Sequence, residues 1–198
     1  MIWAIKNNNK IKATPNKVAI CPCCKSKVRA KCGDIKIWHW AHINSGDCDV
    51  WYEPESEWHI NWKNKFLKEQ QEVVIGKHRA DIKTKKGLVI ELQNSSISIK
   101  DIKEREKFYK KMIWIVNGET FAKNLTLTNL NIIINQNKRT GYNYIWRWMP
   151  KFFIFTNKQV FIDLGDKILY VKKWDMVPKP KTFQLIDIPL KAFINKIK

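Results

Sequence analysis

Acidic residues are scarce in this 198-residue chain: 18 Asp and Glu stand against 37 Lys and Arg, giving a formal charge of +19 and a pI near 9.8. A surface so short of negative charge attracts polyanions and releases their counterions on contact. Nucleic acid is therefore the first partner to consider and an anionic membrane surface the second. Arginine is scarce too, 5 against 32 Lys, and with 17 Asn this reflects in part an AT-rich coding sequence. No apolar stretch approaches about 18 residues, and the opening Met1-Ile-Trp-Ala-Ile-Lys6 has neither an apolar signal core nor a cleavage site. No membrane span and no secretion are expected, and a cytoplasmic location is. Cysteine is absent beyond Cys48: all five lie between Cys21 and Cys48. An odd number crowded into one segment reads as metal ligation in a reducing compartment, not as a disulfide framework. Internal repeats and low-complexity tracts are also missing. What is plentiful is apolar material, 44% hydrophobic with ten Trp, enough for a core.

The chain divides into three parts: residues 1–50 with every Cys and two of the four His, residues 51–117 with alternating helix and strand patterns, and a β-rich extension over 118–198. In the extension, short strands are expected over Asn131–Asn135, Asn143–Trp148, Lys151–Thr156, Gln159–Leu164 and Lys167–Val171, with tight turns at Asn157-Lys158 and Gly165-Asp166. A short basic helix closes the chain from about Pro189.

Cys21-Pro-Cys-Cys24 contains a Cys-x2-Cys pair, and His39-Trp-Ala-His42 follows after 14 intervening residues. Two thiolates on a tight knuckle plus two imidazoles one helical turn apart form a ligand set that closes a tetrahedral Zn2+ site, so Cys21, Cys24, His39 and His42 are the expected ligands. Cys23, Cys32 and Cys48 compete for the fourth position, and an all-thiolate site using Cys32 is an alternative. With every position filled by protein the zinc is structural, and catalysis belongs elsewhere.

The stretch from Arg79 to Gln93 reads as a β-hairpin. Ala80, Ile82 and Thr84 alternate with Arg79, Asp81 and Lys83, and Leu88, Ile90 and Leu92 alternate with Val89, Glu91 and Gln93. A three-residue loop, Lys85-Lys86-Gly87, suits a type I turn closed by Gly in the left-handed conformation. It sets Thr84 opposite Leu88, and hence Asp81 opposite Glu91. Two carboxylates with Cβ atoms roughly 5 Å apart are destabilising unless a cation lies between them. Mg2+ or Mn2+ meets that need, as do the neighbouring Arg79 and Lys83 on a solvated face. Upstream, an acidic start at Glu55 and Glu57 opens a helix on which Trp58, Trp62 and Phe66 form an apolar stripe flanked by Glu57 and His59. Downstream, Ser98-x-x-Asp101 caps a helix to about Lys111, and Met112–Val116 is a buried strand.

This order of elements resembles the PD-(D/E)XK nuclease superfamily and, more narrowly, the competence protein CoiA-like family. The motifs that carry the resemblance are Cys-Pro-x-Cys at 21–24, His-aromatic-Ala-His at 39–42, Glu57-x-His59 with Lys63, Arg79-x-Asp81 and Glu91-x-Gln93-x-Ser95. Glu104-Arg105 with Tyr109, Ile-Trp-Ile-Val at 113–116 and Phe161-Ile-Asp-Leu-Gly165 complete the set. The resemblance implies an α/β (α+β) fold: a restriction-endonuclease-like PD-(D/E)XK core over 51–117, with a zinc-finger-like N-terminal module and the β-rich extension. It implies a metal-dependent deoxyribonuclease, with Asp81 and Glu91 holding Mg2+ or Mn2+, Glu57 a further acid, and DNA and recombination proteins as partners.

Gln93 stands where the superfamily usually has Lys, and His59, Lys63 or Arg105 are the candidates to supply the missing positive charge. Lys63, Arg79, Ser95 and Arg105 are candidate phosphate contacts. For Lys63 a plain solvated surface is the alternative, for Arg105 a pair with Glu104 or Glu57, and for Ser95 a backbone hydrogen bond. The rival functions are a nucleic-acid-binding protein whose nuclease core has lost turnover, and an interaction protein that docks a partner.

Overall fold

A computed structural model describes residues 1–44, 48–51, 53–119, 125–132, 141–146, 155–172 and 182–198. The architecture is mixed α+β with two sheets, and the chain forms two compact units, 1–89 and 90–198.

In the first unit, β1 (Trp3–Lys6), β2 (Asn9–Lys12), β3 (Val18–Ile20), β4 (Lys27–Lys31) and β5 (His39–His42) make a sheet of order β2-β1-β3-β4-β5. Asn7 and Asn8, both at positive φ, join β1 to β2 in the two-residue turn whose twist matches a hairpin. The inner face of this sheet builds a small core from Met1, Ala4, Ala13, Ala19, Cys21, Val28 and Trp40. The Trp40 indole donates to the Ile11 carbonyl at 3.1 Å, which satisfies its one polar group.

Helix α1 (Glu57–Lys63) follows, capped by the Ser56 hydroxyl. It is shorter than the expected stripe: Trp62 lies on it, and Phe66 is buried from the turn beyond the Asn64 C-cap. A 3-10 turn (Lys68–Gln70) leads into β6 (Gln71–Ile75), which pairs with β7 (His78–Lys83) across Gly76-Lys77. The burial of β7 alternates residue by residue, with His78, Ala80 and Ile82 inside. The turn after it has the expected form: Thr84 N–H donates to the Leu88 carbonyl and Gly87 N–H to the Thr84 carbonyl, both at 2.9 Å, with Gly87 at φ 76°.

The chain passes into the second unit within β8 (Val89–Gln93). There α2 (Ile99–Tyr109), capped by Ser98 on the Asp101 N–H, buries Ile102, Arg105, Glu106 and Tyr109. β9 (Met112–Asn117) is buried along its whole length and runs parallel to β12 (Gln159–Asp163). Gly118 closes that strand where any Cβ would lie 2.5 Å from Ile162 and 2.6 Å from the Asp163 carbonyl, so the parallel pair needs glycine there. β10 (Leu125–Ile132), β11 (Gly141–Trp146), β13 (Lys167–Lys172) and β14 (Thr182–Pro189) extend the order β10-β11-β14-β13-β12-β9-β8, and α3 (Leu190–Ile197) closes the chain.

The strand at Gln159, the strand at Lys167 and the terminal helix coincide with the sequence expectation. β10 begins six residues before the expected Asn131, and β14 was not expected. Residues 133–135, 147–148 and 151–154 of the other expected strands lie outside the described residues.

Candidate functional site

Three groups of polar side chains stand out, two in the first unit and one in the second. The first is built from the turn between β3 and β4, the end of β5 and the segment after it. A tight knuckle after β3, in which Lys25 N–H donates to the Cys21 carbonyl (3.1 Å) and Cys21 N–H to the Ser26 carbonyl (2.9 Å), turns the Cys21 and Cys24 sulfurs to one side. Cys21, Cys24, His42 and Cys48 then offer four donor atoms all within 4.8 Å of one another. The sulfurs of Cys21 and Cys48 are 3.7 Å apart, and Cys24 Sγ is 3.2 Å from His42 Nε2. A Zn–S bond of about 2.3 Å implies a tetrahedral edge of about 3.8 Å, so the cluster has the size and donor chemistry for Zn2+. Burial pushes the Cys21 thiol up to about 12. Burial acts the same way on Cys24, but hydrogen bonds with Ser26, Cys21 and His42 overcome it and hold that thiol at about 6, a thiolate at neutral pH.

The fourth donor is Cys48, whereas the sequence pattern pointed to His39. Segment 39–42 is a strand, not a helix, and residues three apart on a strand face opposite sides. His42 pairs with Val28 on the inner face, while His39 pairs with Lys31 and bonds the Ile37 carbonyl at 2.7 Å. Cys23 lies outside the cluster, near the Lys77 carbonyl at 3.4 Å.

The residue after Cys48 clamps the hairpin. Asp49 Oδ1 meets His78 Nδ1 at 2.8 Å, its Oδ2 accepts the Arg79 N–H at 2.7 Å, and the Trp51 ring stacks on His78 with centroids 3.3 Å apart. His78 is thus buried and held by a carboxylate at the start of β7.

The second group surrounds Lys63, at the last position of α1 and fully buried. Its ammonium touches Glu55 at 2.7 Å, Glu72 at 3.2 Å and Asp81 at 3.2 Å. The β6 and β7 register sets Gln71 opposite Ile82 and Val73 opposite Ala80, so Glu72 falls opposite Asp81. Glu72 leaves the ladder there at φ 46°, a conformation that costs a side-chain-bearing residue roughly 1–2 kcal/mol. Its carboxylate offsets that cost by accepting the Ile2 N–H at 2.8 Å and the Trp3 N–H at 3.0 Å. Cross-strand like charges thus have their cation, and it is Lys63.

Burial disfavours the charged form of Lys63, but Glu72, Asp81 and Glu55 more than reverse that and raise its pKa. Burial also works against ionised Glu72, yet Lys63 and Arg79 keep it well below the usual carboxylate range. Glu55, pushed up by burial and by the neighbouring Glu72 and Asp81, titrates at about 7. Between 4.5, its ordinary value, and about 7 the folded chain holds a proton that the unfolded chain has lost, so this group's contribution to stability falls as pH rises through that window. Glu55→Gln is expected to flatten the slope of Tm against pH there, measured by thermal melts of both proteins across the range; parallel curves would exclude the shift.

Sequence reasoning placed Glu57 among the site acids. Glu57 is exposed on the first turn of α1, and the acids gathered at the lysine of Asp81 are Glu55 and Glu72. His59 is buried as half of a capping box: its Nδ1 accepts the Ser56 N–H at 3.3 Å, and Nε2 faces Glu53 at 3.9 Å. Arg79 is half-buried, and Glu72, Glu55, Asp81 and Asp49 raise its pKa against the effect of burial.

The third group is in the second unit. Arg105, on the buried side of α2, donates to Glu91 at 2.9 Å, and its guanidinium lies 5.9 Å from the Trp114 ring centre. Glu91 thus takes the place that the sequence offered to Glu104 or Glu57; Glu104 instead sits 4.0 Å from Lys100 on the exposed side. Gln93 is buried and donates to the Ser95 carbonyl at 2.9 Å, and Ser95 is exposed.

Two family models match this chain in tandem: Competence protein CoiA, N-terminal domain, over residues 4–51, and Competence protein CoiA, nuclease-like domain, over residues 55–197. The chain belongs to the competence protein CoiA family. The resemblance to the CoiA-like family read from its motifs is borne out over nearly the whole length. In this CoiA-family chain the cysteine cluster falls in the N-terminal match, and the Lys63 and Glu91 groups fall in the nuclease-like one. No curated protein and no solved structure matches it. Among the described residues no helix is long and apolar enough to cross a membrane.

Proposed function

We propose that the chain is a metal-dependent deoxyribonuclease built on a PD-(D/E)XK core, with Asp81 and Glu91 holding Mg2+ or Mn2+ and a structural Zn2+ on Cys21, Cys24, His42 and Cys48. The observation that carries it is Asp81. Its side chain keeps 24% of its exposure while Glu55 and Lys63 beside it are sealed, so one oriented carboxylate is presented to solvent from a buried charge cluster. In the sequence, the three-residue turn Lys85-Lys86-Gly87 sets Asp81 and Glu91 at matched positions, which supports the pairing. Their hard oxygen donors suit Mg2+. When bound, such an ion polarises the scissile phosphate and activates a water.

The chain's own residues do the rest. Lys63 fixes Asp81 and Arg105 fixes Glu91, so both cations act as orienting groups and not as DNA contacts. His59 shapes the start of α1, Arg79 adds positive potential on the face of β7 that carries Asp81, and the exposed Glu57 and Ser95 are open to DNA. Gln93 offers an amide where a Lys would offer charge, and this specific feature favours one second reading: a chain that binds DNA without cutting it.

Incubating linear, circular, single-stranded and four-way-junction DNA with Mg2+ or Mn2+ separates the two. Cleavage by the wild type, lost by at least about 100-fold in Asp81→Ala and Glu91→Ala, is the expected result. Binding without cleavage, unchanged by either substitution, would establish the second reading.

A further inference from the structure

We propose that the outer face of β3 and β4 is a groove for single-stranded nucleic acid. This deepens the nucleic-acid reading above and rests on it only for the class of ligand. Residues directly opposed in an antiparallel ladder share a side. Ile20 opposes Lys27 and Val18 opposes Arg29, so these four project together, away from the buried Ala19 and Val28. Lys31, two residues beyond Arg29, continues the row.

Three features of this face are those of a ligand surface. First, Lys27, Arg29 and Lys31 are all exposed and follow one another at every second residue, about 6.7 Å apart on a strand. A stretched polynucleotide presents its phosphates in a comparable single file. Second, Val18 and Ile20 alongside them are left 47% and 37% exposed, an apolar strip that no described residue covers. Third, the strip runs into a cleft of about 500 Å3 whose lining includes Lys6, Lys25 and Lys27 and no acidic residue.

The charge complement extends beyond the cleft: the first 33 residues carry seven Lys and one Arg and not a single Asp or Glu. A duplex hides its bases and would meet only the cations. An unpaired strand can lay phosphates on the β4 row and turn its bases or sugars onto Val18 and Ile20, which makes the single strand the better fit. Two β-branched side chains are too little apolar area to anchor the chain in a bilayer.

The test measures binding of a fluorescent oligodeoxythymidine and of an equally long duplex, without added Mg2+, as a function of salt. The proteins are full-length wild type, Lys27→Gln/Arg29→Gln/Lys31→Gln, Val18→Asp/Ile20→Asp, and Lys191→Gln/Lys196→Gln/Lys198→Gln on α3, which removes the same charge elsewhere. Zinc content and circular dichroism verify folding. The β4 variant is expected to lower the slope of log K against log salt by about 2, at roughly 0.7 for each phosphate no longer neutralised, while the α3 variant leaves it unchanged. The Val18 and Ile20 variant is expected to weaken the single strand by about tenfold or more and the duplex less. Equal loss in the β4 and α3 variants, an unchanged slope, duplex and single strand affected alike, or binding to anionic vesicles in place of DNA would each overturn the proposal. Because no cleavage is read, a failed nuclease assay leaves this result standing, and the converse also holds.

Discussion

Replacing Lys63 with Met is expected to destabilise the chain by about 3–5 kcal/mol, because it removes the partner that makes the buried Glu55 and Glu72 and the partly exposed Asp81 tolerable side by side, while keeping the volume of the side chain. Glu55, Glu72 and Asp81 all touch the same ammonium, and Glu72 also carries the Ile2 and Trp3 amides, so the loss propagates into β1. Urea unfolding at neutral pH checks the magnitude. A second arm gives the sign: lowering the pH through about 7 protonates Glu55, so the gap between wild type and Lys63→Met narrows in acid. Lys63→Met/Glu72→Gln should recover part of the loss by neutralising the most deeply buried acid. A cost below about 1 kcal/mol, the range of exposed ion pairs, would mean that water reaches the cluster.

The second large effect is expected from the proposed zinc ligands. Cys48→Ser should lower zinc occupancy sharply, whereas His39→Ala should retain it, since His39 faces away from the cluster. Metal content after dialysis against a mild chelator distinguishes the two variants, and zinc loss in His39→Ala with retention in Cys48→Ser would reverse the ligand assignment. The consequence reaches the hairpin. Cys48 is followed by Asp49, whose carboxylate holds His78 and the Arg79 amide, so zinc removal should also raise hydrogen exchange at the Arg79 N–H.

Features that depend on neighbours in the chain could be read from the sequence. The turn at Lys85-Lys86-Gly87, the Ser98 cap, the buried strand at Met112 and the terminal helix each have their cause within a few residues. What escaped depends on partners far away. His39 and His42 looked like one face of a helix because a His-x2-His spacing says nothing of whether the backbone is helical or extended. Lys63 looked like a surface lysine because the three acids around it come from the residue before the α1 cap, from β6 and from β7. Glu72 shows no sign in the sequence of its left-handed backbone, which is stabilised by amides 70 and 69 positions away. For Arg105 the sequence offered a phosphate or the nearby Glu104 or Glu57, and its partner Glu91, 14 positions away on a strand, was hidden.

Glu72 also bears on the order of events during synthesis. The amides of Ile2 and Trp3 leave the ribosome long before the carboxylate that receives them, and the ladder that positions this carboxylate needs β7 as well. The Ile2 and Trp3 amides, in a 33-residue stretch with eight basic and no acidic side chains, must therefore wait unpaired until about 80 further residues have been made. A nascent chain in that state is exposed to polyanions around it, so the speed with which β6 and β7 close sets how long this basic segment stays available for unwanted contacts.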